Sequence, residues 1–207
     1  MRNLFHAILT GLLTCGVATQ VLAADAYPAK PVRMVVTFPA GGPTDVIMRI
    51  IGQKLTESWG PPVVIDNRGG AGGIVGTEIV AHAAPDGYTF LVGTAGGMTI
   101  NPALHARLSY DPFLDFAPVA MLVNNPQILV VHPAVPAKTL KELTALAKSR
   151  PGQFNFASAG TGTATHLGLE LLKLTAGIDV VHVPYKGGAP AVTDLIAGQV
   201  QMLFVSI

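Results

Sequence analysis

The feature that most constrains this chain is an alternation of short apolar runs with longer segments of helical periodicity. VRMVVTF at residues 32–38 and PVVIDN at residues 62–67 have the length and β-branched content of buried strands. A helix over residues 72–84 and a strand over residues 88–94 continue the series. Residues 44–59 repeat apolar side chains at helical spacing, at Val46, Ile47, Ile50, Ile51 and Leu55. Such alternation predicts an α/β layered fold with parallel strands joined by right-handed crossovers.

The alternation is interrupted once and then restarts. Residues 94–126 are rich in glycine, proline and asparagine, which predicts an irregular connection. A second series of strands and helices begins at Gln127 and ends in an apolar run at Ile207. The restart predicts two similar lobes, residues 25–124 and residues 125–207. Because no connection follows the last apolar run, we interpret the sequence as lacking its C-terminal part.

Residues 1–24 have the composition of a secretory signal peptide. Arg2 precedes an apolar run over residues 4–22, and small alanines follow it. This interpretation predicts export from the cytoplasm and removes Cys15, the only cysteine, so no disulfide or thiolate metal site is expected. Lipidation of Cys15 is an alternative, but Thr14 is bulkier than the small residue expected before a lipidated cysteine.

The charge balance excludes two classes of partner. The chain has 13 basic and 12 acidic side chains and a formal net charge of +1 at pH 7. No net field therefore attracts nucleic acid or anionic lipid, and any bound anion must be held locally. Four further histidines are too scattered along the chain for metal-ligand spacing, so no metal is expected; they are His82, His105, His132 and His182.

The segment FPAGGPTD, residues 38–45, lies where the first strand gives way to a helix. Gly41 and Gly42 allow a tight turn, and Thr44 is a candidate cap of the helix. Free N–H groups and the positive end of the helix dipole would then face the crevice beyond the strand ends, where a carboxylate fits. The alternative is an ordinary turn and cap, with Asp45 complementing the dipole.

The segment ASAGTGTATHL, residues 157–167, repeats this arrangement in the second series. A glycine-containing loop again joins a strand to a helix, and Ser158, Thr161 and Thr163 add hydroxyl donors. Two such loops, one from each lobe, could clamp one anion. Lys186, in PYKGGAP, follows a later strand at the same end and could neutralise a carboxylate, although a solvated lysine fits its position equally well.

Two other functions, cofactor binding and serine hydrolysis, are less well supported by the sequence. Neither NRGGAGGIVGTE nor SAGTGTAT matches G-x-G-x-x-G, and no G-K-[ST] phosphate loop is present, so no cofactor is expected. Ser158 precedes His166, which leaves a secreted serine hydrolase as an alternative. FASAG lacks the first glycine of the G-x-S-x-G elbow, however, and we favour a structural or loop-bracing role for His166.

The longer runs together resemble a known family. They are YPAKPVRMVVTFPAGGPTDVIMRIIGQKL, PVVIDNRGGAGGIVGTEIVAHAAPDGYTFLVGT, FNFASAGTGTATHLGLELL and VPYKGGAPAVTDLIAGQV. From about Tyr27 to the last residue the chain is similar to the solute-binding receptors of tripartite tricarboxylate transporters, the Bug family. Long runs of this kind are far more specific than any single glycine loop.

The resemblance implies a non-enzymatic periplasmic receptor, expected to be a monomer, with two lobes in the type II binding-protein arrangement. Its ligand would be a small organic acid or amino acid, and its partners the permease subunits of the transporter. The family's binding loops correspond to residues 38–45, 158–163 and 94–101. The predicted ligand contacts are Ala40, Gly41, Gly42, Thr44, Asp45, Thr94, Ala95, Ser158, Gly160, Thr161, Gly162, Thr163 and Lys186.

The resemblance leaves two points open. Asp45 has two candidate roles, capping its helix or accepting an amine from an amino-acid ligand. Members of the family continue beyond the last strand seen here, so a fragment that binds nothing is a further alternative to a working receptor.

Overall fold

The computed structural model describes residues 27 to 206, so the predicted signal peptide and Cys15 lie outside the described residues. Seven strands are present: β1 Val32–Val36, β2 Val63–Asn67, β3 Thr89–Val92, β4 Gln127–Val131, β5 Asn155–Ser158, β6 Val181–Pro184 and β7 Met202–Ser206. Six α-helices connect them: α1 Pro43–Trp59, α2 Ile74–Ala81, α3 Asn101–Leu104, α4 Leu140–Ser149, α5 Ala164–Ala176 and α6 Gly188–Ile196. The predicted strands and helices of both series are confirmed.

The first sheet has the order β2-β1-β3, and both pairings are parallel. Its central strand β1 is almost wholly apolar, and Val32, Val35 and Val36 are fully buried. Continuous apolar strands are typical of parallel sheets, because helices cover their faces. Helix α1 lies against this sheet through Met48, which packs with Met34 and Val92.

One face of α1 differs from the expected one. Val46 and Ile50 were expected on the apolar face, yet they are 50% and 61% exposed. The buried positions are instead Asp45, Met48 and Gly52. Gly52 is buried because β2 approaches it closely: a Cβ there would lie 3.0 Å from Cδ1 of Ile65. The helix therefore turns Gly52, its smallest residue, toward β2, and Ile51 and Leu55 pack against the core of the same sheet.

The second sheet has the order β4-β7-β5-β6. Strand β5 pairs in parallel with β6 and β7, as predicted, but β4 runs antiparallel to β7. Strand β4 follows the long connection from the first sheet, and no single crossover joins it to β7. The handedness rule that fixes parallel neighbours therefore does not apply to this pair. The prediction of purely parallel sheets is wrong at this edge.

The core of the second sheet is larger and more aromatic than that of the first. Phe156 and Leu169 are fully buried in it, and the ring centroids of Phe156 and Phe204 lie 5.3 Å apart. A second cluster on the same sheet packs Leu195 of α6 against Leu203. These contacts fix where α5 and α6 begin relative to the strand ends.

The connection over residues 94–126 contains more structure than its composition predicted. A π-helix, Gly96–Ile100, runs directly into α3. Gly96 and Gly97 are both buried, and a Cβ on Gly97 would lie 2.5 Å from Oγ1 of Thr77. The glycines that suggested a loop are needed for close packing. In the part of the chain that the structure describes, no helix has the length and apolarity to cross a bilayer.

Candidate functional site

A cavity of about 460 Å³ lies where the strands of the two sheets end. Its walls come from the segments after β1 and β3, from residues 120–127 of the connection, from β7, and from the segments after β5 and β6. This volume is in the range of small-molecule sites. None of the described residues that line the cavity carries a charged side chain. A charged ligand would have to be held by backbone groups, hydroxyls and helix dipoles.

Three helices begin at this cavity. The lining includes Gly42, Pro43 and Thr44 at the start of α1, and Thr163, Ala164 and Thr165 at the start of α5. It also includes Gly187, Gly188 and Ala189 at the start of α6. The N–H groups of a first helical turn have no intrahelical acceptor, and the helix dipole adds partial positive charge at the same end. The cavity is therefore suited to an anion.

The start of α1 leaves its amides uncapped. Thr44 was predicted to cap the helix, but the N-cap residue is Gly42 and no side chain bonds to the first turn. The carboxylate of Asp45 instead turns back, accepting the N–H of Gly41 at 2.9 Å and Nε of Arg49 at 2.9 Å. The prediction of a Thr44 cap is thus wrong, because Gly42 already has the extended backbone of a cap residue.

Asp45 is not placed to receive a ligand. It is 2% exposed and lies outside the cavity lining. Burial alone would raise the pKa of Asp45, but hydrogen bonds from Arg49 and Gly41 outweigh that effect and lower the pKa below its usual value. An ionised, paired carboxylate behind the loop fits neither helix capping nor an amine contact from a ligand.

The second loop uses its hydroxyls to hold its own shape. Thr163 caps α5 by accepting the N–H of His166 and donates its hydroxyl to the carbonyl of Gly160 at 2.6 Å. Thr165 accepts the N–H of Ala159 at 2.9 Å. Only Ala159, Thr163, Ala164 and Thr165 of this region reach the cavity. Ser158 is fully buried, and Thr161 is exposed outside the lining.

A stacked pair of histidines supports this loop from behind. Oγ of Ser158 lies 2.7 Å from Nε2 of His182, and the rings of His182 and His166 stack with centroids 4.2 Å apart. The N–H of Gly162 donates to Nδ1 of His166 at 3.3 Å. The loop-bracing role favoured for His166 thus has a structural basis.

The hydrolase alternative paired Ser158 with His166, and the structure pairs it with His182 instead. Sequence reasoning missed His182 because it is 24 positions away from Ser158. The register of β5 and β6, with Phe156 opposite His182, brings it close. A fully buried hydroxyl that already accepts the N–H of Gly160 at 3.1 Å has no space to meet a carbonyl substrate. This geometry does not support hydrolysis at Ser158.

The third helix start was only partly foreseen. Lys186 was predicted to contact the ligand, but it is exposed and lies outside the cavity lining. Its neighbours Gly187 and Ala189 line the cavity instead. The available signal was a strand followed by K-G-G-A, the same strand–glycine–helix arrangement as in the other two loops.

Two polar groups on the cavity wall lack partners among the described residues. They are Oγ1 of Thr94 and Oδ1 of Asn125, both buried and without a hydrogen bond. Thr94 was predicted as a ligand contact. Asn125 was missed, because it lies in a segment interpreted only as a connection. Buried polar atoms normally find a partner, so these two atoms are candidates for contact with a bound molecule.

Five of the predicted ligand contacts line the cavity: Gly42, Thr44, Thr94, Ala95 and Thr163. The others do not: Ala40, Gly41, Asp45, Ser158, Gly160, Thr161, Gly162 and Lys186. Several of these residues stabilise the loops through hydrogen bonds and do not line the cavity. The sequence pattern alone could not distinguish that role from direct contact with a ligand.

The two halves of the chain contact each other at two glycines, Gly72 of the first half and Gly162 of the second. A Cβ on Gly72 would collide with the carbonyl oxygen of Thr161, and a Cβ on Gly162 would collide with the side chain of Asn101. The amide Nδ2 of Asn101 donates to the carbonyl of Gly72 at 3.1 Å. Glycine at both positions is therefore what allows the halves to approach.

The sequence matches a family of receptors. Residues 47–207 match the family described as the tripartite tricarboxylate transporter family receptor. Protein BugT of Bordetella pertussis is 40% identical over 201 residues, which cover 97% of this chain and 61% of that protein. The chain spans about 60% of the length of the first curated relatives it matches.

Solved structures agree closely with the described fold. A periplasmic transporter is 42% identical with a TM-score of 0.85, over 87% of this chain and 61% of that one. Rpa4515 of R. palustris, solved with adipate, is 36% identical with a TM-score of 0.84, over 87% and 60% of the two chains. MatC of Rhodopseudomonas palustris, solved with bound malate, is 37% identical with a TM-score of 0.81, over 87% and 61%.

These likenesses confirm the two-lobed periplasmic-binding-protein fold implied by the sequence runs. The chain belongs to the receptor family of the tripartite tricarboxylate transporters.

Proposed function

We propose that this chain is the carboxylate-binding part of a periplasmic solute receptor, which delivers its ligand to a membrane permease and catalyses no reaction. The observation that carries the proposal is the convergence of three helix starts, those of α1, α5 and α6, on one cavity without charged lining residues. Export through the leader at residues 1–24 would place it where solutes arrive.

The chemistry of the cavity selects for an anion. Each helix start stabilises a nearby negative charge by about 0.3 to 1 kcal/mol, and by up to about 2 kcal/mol where it is partly buried. Three of them together supply the attraction that a lysine or arginine supplies elsewhere. Two relatives with this fold were solved with adipate and with malate, which are carboxylates. We therefore assign a small carboxylate as ligand.

A ligand in this cavity would bridge the two sheets. Gly42 and Thr44 come from the half of the first sheet, whereas Thr163 and Ala189 come from the half of the second. A molecule that contacts both halves binds the closed arrangement better than the open one, and so shifts the population toward closure. Closure is the state that we propose the permease recognises.

A charge placed at one helix start tests the proposal. Ala189 is the second residue of α6 and lines the cavity. In Ala189→Asp, a fixed carboxylate would occupy the positive helix end and repel a ligand anion, although it favours the helix itself. Ala189→Asn has nearly the same shape without the charge and is the matched control.

Binding of adipate and L-malate would be measured by calorimetry and by thermal shift, with the neutral diamide of adipate as a second control. We expect at least one acid to bind, and the Asp variant to bind it about tenfold or more weakly than the Asn variant, or roughly 1.4 kcal/mol. Equal affinity of the two variants, or equal stabilisation by the diamide, would show that the helix starts do not recognise a negative charge.

A further inference from the structure

The histidine stack behind the second loop is connected to it by two hydrogen bonds. His182 on β6 meets Ser158 at the end of β5, with 2.7 Å between Nε2 and Oγ. His166 on α5 accepts the N–H of Gly162 through Nδ1 at 3.3 Å. Ser158 and Gly162 lie near the two ends of the loop that joins β5 to α5. The shape of that loop therefore depends on the two imidazoles.

Both rings act as hydrogen-bond acceptors toward the loop. Nδ1 of His166 faces an N–H group, so it must be unprotonated. Oγ of Ser158 already accepts the N–H of Gly160 at 3.1 Å, so its buried hydroxyl proton is best satisfied by donating to Nε2 of His182. A proton added at Nδ1 of His166 would face the N–H of Gly162, and a proton added at Nε2 of His182 would deprive the Ser158 hydroxyl of its acceptor.

The surroundings of the pair also disfavour a positive charge. The rings stack at a centroid distance of 4.2 Å with 19° between their planes, so two imidazolium ions would repel each other. Two other charged side chains of α5 act on His182 in opposite directions, because Glu170 favours its charged form and Lys173 disfavours it. Glu170 lies 4.0 Å from Nε2 of His166 and is shared with Lys173 at 3.2 Å.

Burial, followed by the charge of His166, lowers the pKa of His182 below its usual value. The folded state thus favours the neutral ring. The corresponding stability is complete above the unfolded-state pKa of about 6.5 and is lost as pH falls below it. The direction agrees with the hydrogen-bond pattern, which requires neutral rings.

We propose that the stacked pair His166 and His182 holds the loop from Ser158 to Thr163 in its anion-binding shape only while both rings are neutral, so that carboxylate capture weakens as pH falls. This inference rests on the proposed function, since it concerns the same cavity. Both histidines are positioning residues and neither lines the cavity. Simple electrostatic attraction to a protonated histidine predicts the opposite trend, which makes the direction informative.

Two double variants separate hydrogen bonding from titration. In His166→Asn with His182→Gln, the side-chain oxygens take the places of Nδ1 and Nε2 as acceptors but do not titrate. In His166→Phe with His182→Phe, stacking remains and both acceptors are lost. Adipate affinity would be measured for each protein at about pH 7.5 and about pH 5.5, a range chosen to span the titration of histidine.

For the unmodified chain we expect affinity to fall by up to about tenfold for each pH unit once His182 begins to take up a proton. The Asn/Gln variant should show a much shallower profile, since only protonation of adipate itself then weakens binding, and the Phe variant should bind poorly at both pH values. Affinity that is constant or rises on acidification in the unmodified chain, or a pH profile that the Asn/Gln variant retains, would overturn the proposal.

A second readout needs no ligand. The amide resonances of Gly160 and Gly162 should shift with pH in the ligand-free chain and stay fixed in the Asn/Gln variant. If these resonances titrate but no carboxylate binds, the proposed function fails while the coupling of loop and histidines stands. If carboxylates bind but the resonances do not titrate, the histidine proposal alone fails.

Discussion

At the scale of single residues, the first loop depends on a carboxylate that faces away from the ligand site. Asp45 is buried, accepts the N–H of Gly41 and pairs with Arg49, so it fixes the turn that leaves α1 uncapped. From the sequence we predicted a tight glycine turn followed by a helix with an acidic residue in its first turn. The sequence could not show the direction of the side chain. An aspartate in a first helical turn can accept a hydrogen bond either from its own helix or from an amide that precedes the helix.

We expect Asp45→Asn to lower the free energy of unfolding by about 1 kcal/mol at neutral pH, because charge-assisted hydrogen bonds become neutral ones. The pKa of Asp45 is lowered in the folded state. Its stabilisation is therefore present above the unfolded-state pKa of about 3.9 and is lost as pH falls through the lower folded-state value.

Urea unfolding of both proteins at about pH 7 and about pH 3 measures this effect. The difference in stability should shrink at the acidic pH. A difference that is unchanged between the two pH values would mean that the carboxylate of Asp45 contributes nothing through its charge.

At the scale of elements, periodicity predicted most of the fold. The helices of the second half were recognisable because apolar spacing, caps and flanking glycines agree; Thr139 and Thr163 cap α4 and α5 as side-chain acceptors. The prediction failed where local pattern carries no information on direction or contact. The antiparallel pairing of β4 with β7 depends on a partner about 70 residues later, which no local window reveals.

The start of α6 illustrates the same limit in the candidate site. All three helix starts share a strand, glycines and a helix, but only the fold shows that they meet at one cavity. From the sequence we predicted a contact through the charge of Lys186. In the structure, Gly187 and the residues that follow it line the cavity instead. Backbone amides leave no residue-type signal, so sites built from them are recognised by topology and not by composition.

At the scale of the whole molecule, the contact between the two halves sets how the cavity closes. Gly72 has a φ of 63° and lies against the carbonyl of Thr161, with Asn101 beside it. A side chain on Gly72 would hold the halves apart. Because the ligand favours the closed arrangement in our proposal, the contact should influence affinity without touching the ligand.

We expect Gly72→Ala to shift the chain toward an open arrangement and to weaken adipate binding about tenfold if the closed population falls tenfold. Gly60→Ala is the matched control: its φ of 90° gives similar backbone strain, but a Cβ there has nothing within 4 Å. Distances between spin labels on Gln53→Cys and Lys148→Cys, in a chain with Cys15→Ser, would report the opening.

The labels should move apart in Gly72→Ala and not in Gly60→Ala. Both variants should lose stability because both place alanine at a positive φ, and Gly72→Ala should lose more because its Cβ also collides with the carbonyl of Thr161. Identical label distances in the two variants would show that the glycine contact does not govern how the halves approach.

Recognition of an anion by the three helix starts is tested most directly by amide NMR during an adipate titration. We predict that the N–H resonances of Thr44, Thr165 and Ala189 shift together and yield one dissociation constant. Shifts confined to a single helix start, or resonances that stay unchanged at saturating adipate while other parts of the chain respond, would contradict it.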